Sequence, residues 1–414
     1  MGTSTVADSV FVARQPIFHR AKNVHGYELL FRSGQKNAYT GTDGDACTRD
    51  VIASSFVDIG LDELTGGQRG FVNFTRNLLL SDVADLLPPD LVTVEILEDV
   101  DPDDNVIEAC RRLKDDGYTL ALDDFVVADE GHPLLDLADI VKVDFAGTTR
   151  QERKRLAGYL AKRKIKPLAE KVETEEDFQQ ADEDGYQYFQ GYFFSKPVIH
   201  EGKSIAGNKL AYLRLLEQVN RPEMSLDQIE AVIKQDVTLT YKLLRFMNSV
   251  WFGLRYKVSS IKRALVMLGP KEIRKWCALV SLRQMGSDKP NELFLRGMLR
   301  ARMGEGVAPL TGMEKQSSEI FLMGMFSVMD ALLDAPMADI MEKLPLDEKV
   351  KGTLLGQTTP LSGVYELITS YELGQWQNLT QHAESLKVDM GALPPIFGES
   401  LKWANQAFAS VDQD

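Results

Sequence analysis

Eight short apolar or alternating runs in the first 200 residues limit the fold more than any other feature of this chain. They span residues 10–14, 24–31, 70–74, 92–96, 118–123, 140–143, 165–169 and 186–190. From the third run on, the starts lie about 20 to 26 residues apart, the length of a strand plus a helical crossover. Eight such units predict an α/β fold, a TIM-like (β/α)₈ barrel on the short side for that architecture. The first two runs are joined by only about nine residues that include His19-Arg20-Ala21-Lys22-Asn23, which fits a hairpin rather than a crossover. One strand is therefore expected to run antiparallel.

Past Pro197 the pattern turns helical. Ser225 reads as an N-cap before Leu226, Ile229, Val232 and Ile233, which share one helical face. The texture continues over 239–247, breaks over 248–256, restarts after Ser260 and meets a stop signal at Gly269-Pro270. It then runs through 271–285, 293–303, 318–333 and 364–371. The expected organisation is a barrel over 1–198, a junction over 199–209 and an all-α domain over 210–414.

Composition narrows the function classes. The chain has 414 residues, 44% hydrophobic and 26% charged, enough for two cores. No apolar run approaches the roughly 18 residues of a membrane span. Residues 1–16 lack the basic and apolar regions of a secretory leader, so a cytoplasmic location and no membrane contact are expected. The cysteines, Cys47, Cys110 and Cys277, have no paired spacing, which argues against a disulfide framework or a thiolate metal site. Residues 1–200 hold 22 Lys and Arg against 36 Asp and Glu, whereas 201–414 hold 25 against 25. All of the net charge of −14 thus sits in the first half, and a nucleic-acid partner is not expected. Within the neutral half, residues 234–302 carry 15 basic and 4 acidic side chains, a solvated face or a surface for an acidic partner. Nine of the 14 methionines fall between Met285 and Met341, suited to core packing or to an adaptable groove.

The ends of the strands carry the chemistry. The fifth run closes on Asp123-Asp124, two adjacent acids that can serve one site only if the turn re-aims one of them. Other runs present Glu28 and Arg32, Asn73, Glu95 and Glu98, Lys142, Glu170 and Glu173, and Gln190. A closed barrel gathers such residues at one mouth. Carboxylates with one amide oxygen and little imidazole or thiolate suit a hard cation, Mg²⁺ or Mn²⁺. Two such ions form the arrangement that hydrolyses phosphodiesters.

Gln15-Pro16-Ile17, Glu28-x-Leu30-x-Arg32, Val72-Asn73, Glu95-Ile96-Leu97-Glu98, Asp123-Asp124-Phe125, Lys142-Val143-Asp144, Glu170-x-Val172-Glu173 and Gln190-Gly191-x-x-Phe194-x-Lys196-Pro197 resemble the EAL family of cyclic di-GMP phosphodiesterases, in order, over nearly all of 10–198. The resemblance implies that Glu28, Asn73, Glu95 and Asp123 hold one metal and Asp124 the second. It further implies that Lys142 and Glu170 hold and activate the attacking water, that Glu173 and Gln190 support the catalytic site, that Gln15 and Arg32 bind substrate, and that Glu98 anchors the loop after the fifth strand. This chain departs from the family at Leu30 in the signature tripeptide, at Lys171 where the family has glycine, and at Val126-Val127-Ala128-Asp129-Glu130 where active members carry a Gly-x-Gly loop. Dimerisation in the family uses that loop, so a homodimer is less secure here. His132 is weighed as a replacement ligand.

The helical half resembles the HDOD domain through Val237 to Arg245, Met247-Asn248-Ser249, Ile261 to Leu265 and Leu268-Gly269. Met329-Asp330 stands where hydrolytic relatives keep His-Asp, and His382 is the single histidine after His200, so no metal site is expected there. Together the resemblances imply a cyclic di-GMP signalling protein. Its barrel binds that ligand or a related one with weak or lost hydrolysis, and its HDOD half contacts an unidentified protein. The alternative is an active phosphodiesterase producing pGpG.

Overall fold

The computed structural model describes residues 10–33, 60–125, 131–197, 207–221, 223–235, 237–248 and 258–412. The chain divides into two compact units, Met1–Phe194 with Tyr371–Gln375, and Ser195–Ser370 with Trp376–Asp414.

The first unit is a closed barrel of eight strands: β1 Val10–His19, β2 Val24–Ser33, β3 Arg69–Phe74, β4 Val92–Ile96, β5 Thr119–Leu122, β6 Ile140–Asp144, β7 Lys166–Glu170 and β8 Tyr188–Gln190. Strand β1 pairs antiparallel with both β2 and β8, and every other pair is parallel. The reversal occurs at the expected hairpin, where the Lys22 amide donates to the His19 carbonyl at 2.8 Å. Helices at Asp104–Asp115, Arg150–Lys162 and Glu175–Glu183 form three of the crossovers. Asp103, Thr149 and Thr174 cap their amino ends, and the two threonines complete reciprocal boxes with Glu152 and Asp177. Between β5 and β6 the described residues form only a short 3-10 turn, Pro133–Asp136.

Strand periodicity sets the barrel's interior in layers. Ile17, Phe71, Ala121, Ile140, Leu168 and Tyr188 make one buried apolar cluster. Two positions along the same strands, and so on the same face, stand Gln15, Asn73, Asp123, Lys142, Glu170 and Gln190. A dry plug therefore underlies a polar tier. Near the opposite rim His25 stacks on Tyr188 at 4.3 Å, and burial together with the cations around it holds the imidazole down to about 4.

The second unit is helical throughout its described residues. Its longest helical stretch, Ile261–Met285, begins at the Ser260 N-cap and is two helices, the first ended as expected at Gly269, whose φ of 73° and ψ of 166° are not helical, and the second starting at Pro270. Asn248 closes the segment before it by accepting from the Val258 amide at 2.7 Å and donating to the Val258 carbonyl at 2.8 Å. Met285, Met298, Met303, Met323, Met325, Met329 and Met341 are all buried, so the methionine-rich stretch is mainly core. Part of the basic stretch is spent on local ion pairs, among them Lys275 with Glu272 at 2.9 Å and Lys289 with Asp334 at 2.6 Å.

Just after β8, Gly191 holds φ at 147°, and a Cβ there would lie 2.1 Å from the Val172 carbonyl oxygen. The backbone of β8 can cross that of the β7 end only without a side chain. Gly191→Ala is expected to destabilise the barrel by about 2 kcal/mol or more, read as a lower midpoint in urea unfolding.

Candidate active site

The mouth is organised by Lys142, which is 1% exposed at the end of β6. Its Nζ lies 2.8 Å from Glu170 Oε1, 3.0 Å from Asp123 Oδ1 and 3.4 Å from Glu28 Oε2, and it donates a short hydrogen bond to Glu95. Five strands thus meet on one ammonium. Glu28 also accepts from Gln190 Nε2 at 2.6 Å and from Asn73 Nδ2 at 3.2 Å, and Gln190 in turn donates to Gln15 Oε1 at 3.2 Å. Asn73 and Glu95 are register partners on β3 and β4.

The two adjacent acids are separated by backbone conformation. The Asp123 amide donates to the Ile96 carbonyl at 3.0 Å and the Phe125 amide to the Lys142 carbonyl at 3.0 Å, which continues the sheet past both. Between them Asp124 takes φ of 42°, the left-handed region, and this turns its carboxylate back toward its neighbour. Asp123, Asp124 and Glu170 each offer an oxygen, and the three lie within 4.8 Å of one another.

One lysine cannot balance four carboxylates, three of them buried, and the titration behaviour follows from that shortfall. Burial pushes Glu95 well above the carboxylate range, with Glu28, Asp123 and Glu170 acting the same way against Lys142. Burial likewise raises Glu170 to about 7. Burial would raise Glu28 too, but Lys142, Gln190 and Asn73 outweigh it and hold that carboxyl below its ordinary value. Burial would lower Lys142, yet the surrounding carboxylates hold it well above the usual lysine range. Although Glu95 and Lys142 share the shortest contact, the ammonium keeps its proton because four carboxylates compete to stabilise it. The excess negative charge must be met by protons on Glu95 and Glu170 or by cations.

Residues 50–197 match the EAL domain family and residues 209–343 match the HDOD domain family. YuxH of Bacillus subtilis, an uncharacterised protein, is 36% identical over 404 residues, covering 96% of this chain and 98% of its own length. The cyclic di-GMP phosphodiesterase CdgJ of Vibrio cholerae is 36% identical over 402 residues, covering 96% of this chain and 92% of its own. The chain belongs to the two-domain EAL–HDOD family. A calcium and cyclic di-GMP complex of Klebsiella pneumoniae BlrP1 is 25% identical, covers 48% of this chain and 58% of that one, and gives a TM-score of 0.39.

In this EAL–HDOD chain the donor set fits a hard divalent ion. Asn73 Oδ1 and Glu95 Oε2 are buried with no hydrogen-bond partner, an arrangement that costs free energy unless a cation or water completes it. The structure brings Glu28, Asn73, Glu95, Asp123, Asp124, Lys142, Glu170, Gln190 and Gln15 together through the contacts given above. Arg32 lies on the same face of β2 as Glu28, one turn of the pleat beyond Leu30. Glu173 is exposed just before the Thr174 cap, and Glu98 is exposed in the turn after β4. The loop departure at residues 126–130, the anchoring of that loop by Glu98 and dimerisation through it lie outside the described residues. His132 is spent as a cap, its Nδ1 accepting from the Leu134 amide at 3.3 Å.

Asp144 was missing from the expected site set, although the Lys142-Val143-Asp144 pattern signalled it. It ends β6, accepts from the Ala146 and Gly147 amides at 2.6 Å and 3.1 Å, and pairs with Lys171 at 2.6 Å.

A carboxyl with a folded pKa above its unfolded value supports the fold while protonated and loses that support as pH rises through the folded value. For Glu170 the loss falls between the ordinary carboxylate range and about 7. Metal-free protein is expected to melt several degrees lower near pH 8 than near pH 5 from this group. Saturating Mn²⁺ is expected to raise the melting temperature more near pH 8 than near pH 5, which differential scanning calorimetry reads directly.

Proposed function

We propose that this chain is a divalent-cation-dependent phosphodiesterase that opens cyclic di-GMP to linear pGpG at the barrel mouth. The observation that carries the reading is the convergence of Glu28, Glu95, Asp123 and Glu170 on Lys142, with hard oxygens of Asn73 and Asp124 beside them. The full-length relative CdgJ, a cyclic di-GMP phosphodiesterase, supports the choice of substrate. Glu28, Asn73, Glu95 and Asp123 would hold one Mg²⁺ or Mn²⁺, and Asp124 and Glu170 with Asp123 the second. Such ions, when bound, lower the pKa of water and offset charge on a phosphoryl group.

The chain's own side chains supply the rest. Glu170, beside Asp123 and Lys142 at the mouth, is positioned to take the proton of an attacking water as it approaches phosphorus. Lys142 places a permanent positive charge beside that carboxylate and favours the developing anion. Arg32 presents a planar fork suited to a non-bridging phosphate edge. Gln190 orients Glu28 and ties it to Gln15, so the substrate-side edge and the cation-side edge share one hydrogen-bonded chain.

Among its described residues the helical unit contributes no second set of this kind. Met329 is buried beside Asp330, and His382 Nδ1 faces Glu366 at 3.5 Å. In this reading that unit engages a protein partner.

A second reading, a cyclic di-GMP receptor with weak or lost turnover, is favoured by Lys171, whose ammonium reaches the Asp124 carboxylate. Incubation of purified protein with cyclic di-GMP and Mn²⁺ or Mg²⁺ separates the two. Phosphodiesterase action gives pGpG by chromatography, and Glu28→Gln or Lys142→Met lowers its rate at least about 10²-fold. Calorimetric binding without product supports the receptor.

A further inference from the structure

Six residues other than glycine hold a positive φ among the described residues: Lys22, Asp124, Lys164, Lys171, Asp334 and Lys387. Lys22 sits in the β1–β2 hairpin, and Lys164, Asp334 and Lys387 follow the ends of helices, places where the left-handed conformation closes a turn. Asp124 and Lys171 have no such setting. They lie at the ends of β5 and β7, with φ of 42° and 54°, and their side chains meet. Each position carries a backbone strain that glycine would avoid, which directs attention to what the side chains do there.

Lys171 directly follows Glu170, and its Nζ lies 2.6 Å from Asp144 Oδ2 and 3.7 Å from Asp124 Oδ1. Asp124 belongs to the trio whose oxygens lie within 4.8 Å of one another, and Lys142 reaches the other two members, Asp123 and Glu170. Lys142 touches carboxylates of both proposed cation positions, so what sets the trio apart is a second ammonium at the rim, that of Lys171. Asp144, fastened by two backbone amides, holds the rim lysine in place.

We propose that Lys171 is a tethered counter-ion that competes with a divalent cation for Asp124, so that the trio binds its cation weakly while the position formed by Glu28, Asn73, Glu95 and Asp123 binds tightly. The inference rests on the metal reading of the mouth given above. Lys171 is about half exposed, so solvent screens its charge and it can swing aside. The penalty is accordingly a moderate one, about 10- to 30-fold in affinity, and occupancy of the second position becomes sensitive to cation concentration. Lys171 acts here as a positioning residue through Asp124.

The test is a Mn²⁺ titration of the full chain without nucleotide, by calorimetry and by the electron paramagnetic resonance signal of free Mn²⁺. The original chain is expected to bind one ion tightly and a second about 10-fold or more weakly. Lys171→Gly removes charge and backbone strain together, and Lys171→Met removes charge alone. Both are expected to tighten the weak position at least about 10-fold and to leave the tight one within about 2-fold, with a smaller gain at high ionic strength. Two ions of equal affinity in the original chain, or a gain in Lys171→Gly but not in Lys171→Met, overturns the inference and leaves the phosphodiesterase reading standing. An absence of Mn²⁺ binding in all three proteins overturns the metal reading itself, and the inference with it.

Discussion

A buried ammonium surrounded by four carboxylates is the constraint from which the barrel mouth follows. Desolvating any one of these charges alone would cost several kcal/mol, and only their mutual contact makes the group tolerable. Because the carboxylates sit on β2, β4, β7 and the end of β5, the cluster exists only when the barrel is closed. Charge neutrality is still not reached by Lys142, so the mouth is built to receive positive charge from outside. Protons answer that need at low pH, and a divalent ion answers it without protonating the groups that chemistry requires.

Much of this was legible in the chain itself. Reading the carboxyl ends of successive strands put Glu28, Asn73, Glu95, Asp123, Lys142, Glu170 and Gln190 at one rim, while Gln15 entered only through the family resemblance. The antiparallel start was readable from the length and composition of the first connection. What could not be read was torsional: nothing in an Asp-Asp pair announces that the second residue adopts φ of 42°, because aspartate tolerates that region without demanding it. The same holds for Lys171, which stands out in the sequence only as a departure from glycine and whose positive φ is not announced there; its ammonium lies at Asp144 and Asp124. His132 shows the opposite lesson, since a lone loop histidine found ordinary employment as a cap.

In the helical unit the pattern of apolar residues located most elements, and Gly269-Pro270 ended one helix where the sequence signalled a stop. Proline lacks an amide donor but is well suited to the first turn of a helix, so a second helical stretch restarts directly after the kink. The crowding of methionines also resolved by packing. Helices Asn291–Val307 and Ser317–Phe326 approach so closely that a Cβ on Gly324 would lie 2.4 Å from the Ala301 nitrogen, and unbranched thioethers fill the irregular spaces such crossings leave.

The apolar plug beneath the polar tier has a consequence for traffic. With Phe71, Ile140, Leu168 and Tyr188 packed beneath the polar tier, the described residues leave no path from the mouth through the barrel interior. Under the proposed activity, a spent dinucleotide would therefore obstruct the next arrival until it departs. In that reading turnover would be governed by how readily the rim lets go as much as by how fast a bond is broken.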